Sequence, residues 1–392
     1  MDLLWTEDDE RFRTELRAWI DQALPKLPPA TKREDWDARR ARDTTWQRML
    51  YDAGYAGINW PADFGGRGAA LSEQLVFYEE ITKAGAPDVG VNFVGLLHAG
   101  PTIIAEATDE QRARHLPAIL KGEEVWCQGF SEPSAGSDLA SLRCRAVRDG
   151  DDYVISGQKI WTSFAQVSDY CELLVRTDPD APKHKGITWL ILPMDAPGVD
   201  VRPLRTVIGS SEFSELYLDD VRVPVANRVG AENDGWRVAM VTFSFERGTS
   251  LVSEMVEARR QLDELVKVAK VVTRGSATAW DDVGLRREIG HAAAELDALW
   301  NMVKRTVSEA ARTGVPGVGA SVVKLYYTEL IQRIGDLALR VLDRASLSLD
   351  DVFEHSGHFV EERLRVLALT IAAGSSQIQR NIIGERILGL PR

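Results

Sequence analysis

Two short runs and one dipeptide carry the residues best suited to chemistry. The first run is Gly129-Phe130-Ser131-Glu132-Pro133-Ser134-Ala135-Gly136-Ser137-Asp138, directly after Gln128. The second is Gly157-Gln158-Lys159-Ile160-Trp161-Thr162-Ser163. Glycine and serine alone make turns. With Trp161 as an aromatic wall and hydroxyls and backbone N–H groups at Ser131 and Ser163, they also suit a flat ring with a polar edge. The dipeptide is Glu246-Arg247, which follows Phe243-Ser244-Phe245. An arbitrary Glu-Arg pair on a helix is a solvated ion pair. If the aromatic neighbours Phe243 and Phe245 desolvate it, the carboxylate would instead have its pKa raised toward neutrality, the state a general base needs.

The elements that must position these residues follow from periodicity. Thr6 precedes the acidic run Glu7 to Glu10, a helix start whose carboxylates offset the helix dipole. Phe12, Leu16, Trp19 and Ile20 then share one face. A Pro/Gly-marked loop occupies Trp60 to Gly66, a helical pattern resumes from about Ser72, and Asp109 to Leu120 reads as a helix closing at Gly122. After Val125 come strand-like runs at Asp152–Ser156, Tyr170–Val175, Ile187–Leu192 and Ser214–Leu218, with turns at Asp149-Gly150 and Asp195 to Gly198. Beyond Trp236 helical periodicity returns, enough for a bundle of four or five helices. The expected architecture is α+β and multidomain: helical 1–122, all-β 123–235, helical 236–392.

Composition narrows the function classes. A chain of 392 residues is too long for one core. A formal charge of −12 disfavours a nucleic-acid surface. Three cysteines without CxxC spacing, and His355 and His358 without an acid or thiolate partner, argue against a metal site. Gly65-Gly66-Arg67-Gly68 has Leu71 where a dinucleotide fingerprint needs its third glycine. The acidic N-terminus is unlike a secretory signal, and no stretch approaches the ~20 apolar residues of a membrane span, so a cytoplasmic location is expected.

The two runs closely resemble the flavin-contacting signatures of the acyl-CoA dehydrogenase family. Trp60-Pro61 to Gly66, Arg222-Val223-Pro224 to Gly235-Trp236, and Gln377-Ile378-Gln379-Arg380 match in the same order. The resemblance implies an N-terminal helical domain, a central β domain and a C-terminal four-helix bundle, with FAD as cofactor and an acyl-CoA as substrate. It places Gln128, Phe130, Ser131, Ser137, Trp161, Ser163, Ser375 and Gln377 on the cofactor, with Ser163 directed at flavin N5. It places Ser137, Phe243, Arg247 and Ala373 on the substrate. Many members carry the catalytic glutamate in a C-terminal Tyr-Glu-Gly-Thr segment, but here the run is Ala372-Ala373-Gly374-Ser375. A minority, including the isovaleryl and long-chain types, supplies it from an earlier helix where Glu precedes Arg. That implies Glu246 as the base, while the Ala373 backbone N–H still polarises the thioester carbonyl. Nitroalkane oxidases of the same family use an Asp base, which Glu246 does not match.

One half of the family's cofactor site is altered. Ordinary members are homotetramers in which a neighbouring subunit offers Arg-x-x-Phe-Gly and Gln-x-x-Gly-Gly-x-Gly segments to the FAD. Here the first becomes Arg274-Gly275-Ser276-Ala277-Thr278 and the second Arg340-Val341-Leu342-Asp343-Arg344. Between Leu337 and Arg365 the only glycine is Gly357, and Asp343 would repel a phosphate. This pattern resembles the heteromeric α2β2 acyl-CoA dehydrogenases of actinobacterial steroid catabolism. It implies an unlike partner subunit, a bulky acyl group and an electron-transfer flavoprotein as acceptor. The rival expectations are a non-catalytic role completing another subunit's site, and a family member with different chemistry such as a carrier-protein-bound acyl dehydrogenase.

Overall fold

The computed structural model describes residues 5–32, 34–245, 252–313, 319–353 and 355–391. The helices of the first third are α1 (Glu7–Ala23), α2 (Trp36–Asp52), α3 (Leu71–Lys83), α4 (Gly100–Glu106) and α5 (Asp109–Lys121). The strands are β1 (Trp126–Gly129), β2 (Arg145–Asp149), β3 (Asp152–Ser163), β4 (Tyr170–Arg176), β5 (Ile187–Pro193), β6 (Val199–Leu204), β7 (Phe213–Pro224) and β8 (Arg228–Val229). Then come α6 (Gly235–Phe245), α7 (Val252–Val271), a small β9–β10 ribbon (Thr273–Arg274, Ala277–Thr278), α8 (Val283–Thr313), α9 (Gly319–Leu342), α10 (Ser356–Arg365) and α11 (Ser376–Arg386). The helical, β, helical order matches the reading of the sequence. No helix among the described residues is long and apolar enough to cross a membrane.

Local chemistry sets the helix ends. Thr6 Oγ1 accepts from the Asp9 N–H at 3.1 Å while the Thr6 N–H donates to Asp9 Oδ2 at 2.9 Å, a reciprocal cap. Thr108 and Gln111 form the same device at α5, which stops at Gly122 in the left-handed region.

By compactness the chain divides into two units. One comprises 1–14, 71–85 and 247–392; the other comprises 15–70 and 86–246. The second unit holds the sheet, ordered β6-β7-β3-β2-β4-β5-β8, with β1 pairing parallel to β4. Its core is formed by Cys127, Tyr153, Ile155, Leu173, Leu190 and Leu216, all buried. The sequence pattern stops β3 at Ser156 because Gly157 interrupts it. The strand instead continues to Ser163 through bulges between Ile155 and Gly157 and between Lys159 and Thr162. A Cβ at Gly157 would approach the Cys144 backbone to 2.8 Å, so only glycine fits there. β2 and β6 went unread: β2 is mostly exposed, and in β6 the alternation of Val199 and Val201 with Asp200 and Arg202 is only four residues long before Pro203.

In the first unit α3 packs on α7 and α8, α8 and α9 pack on each other and on α7, and α10 and α11 pack on α9. The five helices after residue 251 fit the expected bundle. Arg13, 7% exposed, donates to Glu79 at 2.8 Å and also pairs with Glu80. Such a pair needs every charge matched, since a lone buried ion is costly.

Candidate active site

The two motif runs meet through a buried ion pair. Lys159 Nζ, fully buried, lies 2.9 Å from Glu132 Oε1 and donates to the Phe130 carbonyl at 3.2 Å. Glu132 also accepts the backbone N–H groups of Arg143 (2.7 Å) and Cys144 (2.8 Å). The Ser131 carbonyl accepts from the Ile160 N–H at 3.0 Å. These bonds tie 129–132 to 159–160 and so fix where Ser131, Trp161 and Ser163 stand. The charged residues inside each run had no assigned role in the sequence reading, although a Glu and a Lys within otherwise small, neutral runs was the available signal.

Trp161 is 57% exposed and holds φ 62°, in the left-handed region that non-glycine residues seldom occupy. Its ring meets Phe213 edge-on at 5.8 Å. Ser131 and Ser163 are half-buried, and neither hydroxyl is hydrogen-bonded to another described residue. Ser137 is exposed, just after Gly136. The three cysteines are buried and reduced, and burial pushes the Cys144 thiol up to about 11, away from reactive thiolate chemistry.

Gln128 is turned inward. Its amide donates to Glu172 Oε1 at 2.7 Å and lies 3.2 Å from His98 Nδ1. Glu172 is fully buried, and His98 Nδ1 stands 3.6 Å from its carboxylate. His98 sits in a single π-helical turn, Gly95–Ala99, a feature frequent at functional sites. This polar cluster was missed from sequence. Its trace was Glu172 itself, an acid in the middle of the apolar strand β4.

Helix α6 approaches the same region. Phe243 is half-buried, and its ring packs edge-to-face on Phe130 at 5.9 Å. Glu246 and Arg247 lie outside the described residues, three and four positions further along the chain.

The remaining expected residues belong to the other unit. Ala373 is exposed at φ 50°. Ser375 caps α11, its hydroxyl accepting from the Ile378 N–H at 3.4 Å, and Gln377 is exposed on the first turn. Arg274 donates to the Arg340 carbonyl, and Arg340 pairs with Glu288 at 2.6 Å. Asp343 begins a short 3-10 turn at φ 52°. Gly357 answers a close approach by the Leu349 carbonyl within its own segment. Among the described residues no cluster of His, Cys, Asp and Glu could hold a metal ion.

Three domain models match in sequence: the acyl-CoA dehydrogenase N-terminal domain over 6–123, the middle domain over 127–221 and the C-terminal domain over 233–388. The chain belongs to the acyl-CoA dehydrogenase family. Among relatives of this acyl-CoA dehydrogenase, the acyl-CoA dehydrogenase IpdE1 of Mycobacterium tuberculosis is 40% identical over 397 residues, covering 98% of this chain and 99% of the relative. Acyl-CoA dehydrogenase FadE26 of the same organism is 37% identical, covering 100% and 99%. Among solved structures, the Tcur3481-Tcur3483 steroid ACAD aligns with a TM-score of 0.85 at 32% identity over the full length of both chains. The ChsE4-ChsE5 complex from Mycobacterium tuberculosis aligns at 0.83 and 34%, again over both full lengths. As a family member this acyl-CoA dehydrogenase is an oxidoreductase of the flavoprotein class.

Proposed function

We propose that this chain dehydrogenates the α,β-bond of a bulky acyl-CoA thioester, steroid-derived or branched, using FAD and Glu246 within an α2β2 complex. The observation that carries this reading is the packing of Phe243 on Phe130. It ties helix α6, three residues before Glu246, to the motif that resembles a flavin cradle. The fit to a flavin rests on this chain's own atoms. Ser131 and Ser163 have uncommitted hydroxyls, and Trp161 presents an open aromatic face held by Phe213. Bound FAD supplies the hydride acceptor.

In this account Glu246 takes the α-proton onto its carboxylate as the β-hydride departs, and a carbon–carbon double bond forms between the two carbons. Ser131 and Ser163 would hold the cofactor's polar edges by hydrogen bonds, Ser163 toward the hydride-accepting atom, and Trp161 would wall the ring. Gln128, whose side chain is braced by Glu172, would add a further cofactor contact beside the first motif run. Ser375 and Gln377 would add cofactor contacts. Ser137, Phe243 and Arg247 line the acyl-CoA path, and the Ala373 N–H polarises the thioester carbonyl. The small side chains of Ala372 and Ala373 leave room for a wide acyl group. An unlike subunit supplies the glycine-bearing half of the cofactor site, and an electron-transfer flavoprotein receives the electrons. The names of the Tcur3481-Tcur3483 and ChsE4-ChsE5 neighbours, a steroid ACAD and a two-component complex, support both the ring-bearing substrate and the mixed assembly.

Glu246→Gln tests it. The variant complex should keep its flavin absorbance and lose turnover by roughly three or more orders of magnitude, because proton removal lacks its base. Turnover within tenfold of wild type removes Glu246 from the mechanism. A clear kcat/KM preference for octanoyl-CoA over a steroid side-chain CoA ester removes the bulky substrate.

A further inference from the structure

The segment between α10 and α11 is held by side chains aimed at its carbonyl oxygens. Lys324 of α9 donates its ammonium to the carbonyls of Leu369 at 3.1 Å and Gly374 at 2.7 Å. Gln379 of α11 donates to the carbonyls of Ala373 at 3.1 Å and Gly374 at 3.3 Å. Gln332 of α9 donates to the Val366 carbonyl at 3.2 Å and to Thr370 Oγ1 at 3.1 Å. A surface turn ordinarily closes with its own backbone; this one is gripped from inside by three side chains.

The grip isolates one peptide group. The Ala372 N–H donates to the Ala368 carbonyl at 2.9 Å, which fixes the peptide before it. The Ala373 carbonyl is fixed by Gln379, which sets the peptide after it. Between them, the Ala373 N–H donates to no described residue, and Ala373 is exposed at φ 50°. An L-residue seldom holds that backbone conformation without being forced. Lys324 is itself unusual: it is half-buried, has no carboxylate partner among the described residues, and burial lowers its pKa. An ammonium placed on carbonyls rather than on an acid does not neutralise charge. It orients dipoles.

We propose that Lys324, assisted by Gln379, is a positioning residue that holds the Ala373 N–H outward as the hydrogen-bond donor to the thioester carbonyl. This rests on the functional reading above, in which that N–H meets the substrate. The new elements are the two side chains that set its direction. Without them Ala373 relaxes out of the left-handed region and the donor turns away, while the helices on either side keep their packing.

The test uses the flavin-loaded complex containing the full chain, with Lys324→Met and Gln379→Leu variants. The probes are a steroid side-chain 2-enoyl-CoA, which keeps the carbonyl but reacts no further, and the matching S-alkyl thioether, which lacks it. By calorimetry, wild type should bind the thioester roughly five- to tenfold more tightly than the thioether, the size of one hydrogen bond. In either variant the preference should fall below about twofold while thioether affinity stays within about twofold of wild type. Retention of the full preference in both variants overturns the proposal, as does an equal loss for both probes, which marks a merely structural role. If Lys324→Met fails to fold, Gln379→Leu decides. If wild type binds neither probe, the functional reading itself fails and this inference falls with it.

Discussion

The β-domain motifs and the C-terminal segments around Arg274 and Arg340 face opposite demands, and the structure treats their charges differently. In the β domain the charged residues, Glu132 and Lys159, are buried against each other and leave the small polar residues uncommitted. In the C-terminal unit Arg274 donates to the Arg340 backbone, Arg340 pairs with Glu288, and Asp343 occupies a left-handed position that favours glycine. One region sinks its charge to free its donors. The other binds its cations to itself. A diphosphate would need those cations and close backbone N–H groups, so the contrast fits the proposed reading in which this chain supplies one half of a cofactor site.

The comparison breaks most readily at the buried pair. Lys159→Met leaves Glu132 charged, buried and unpaired, and should lower stability by about 3–5 kcal/mol with loss of bound flavin. Combining it with Glu132→Leu removes the lone charge and should recover much of the stability but not the flavin. Denaturant midpoints and flavin absorbance of both variants measure this. Recovery of flavin in the double variant would show that the pair does not shape the cradle.

Trp161→Ala sharpens the contrast from the open side. The ring is largely exposed, so stability of the flavin-free chain should change by no more than about 0.5 kcal/mol. Flavin retention should fall, while Ser163→Ala should retain flavin and slow its reduction. Flavin dissociation and single-turnover rates separate the two. Equal, negligible effects would place the flavin elsewhere.

The smallest effects belong to the C-terminal segments. Arg340→Ala removes a surface pair with Glu288 that water screens, so its cost should not exceed about 0.5 kcal/mol. Asp343→Gly suits the left-handed backbone and should shift stability by less than about 1 kcal/mol. On the proposed reading this surface faces no flavin, so neither should alter flavin content in the complex. A marked drop in flavin from either would reverse the assignment of the two halves.

Much of this was legible in sequence because it is written in local signals. The Thr6 cap, the helix from Asp109 closing at Gly122 and the Asp149-Gly150 turn were direct readings of backbone chemistry. Strands β4 and β5 were apolar runs. What escaped depended on long-range pairing. β3 runs through Gly157 because Cys144 approaches there, and nothing near Gly157 announces Cys144. The bond from the Gln128 amide to Glu172 depends on the sheet register that pairs the two residues. Likewise Lys324 lies some 50 positions from the turn it grips, so only the packing of α9 on α11 reveals it.

The central claim is that one half of a cofactor site is present on this chain and the other half must come from an unlike subunit. Co-expressed with such a subunit, the chain should give an α2β2 assembly. Its native mass and flavin-to-protein absorbance ratio should yield half occupancy, two FAD for four chains, while the chain alone should retain little flavin and no activity. A fully active homotetramer of this chain carrying four FAD would contradict the account.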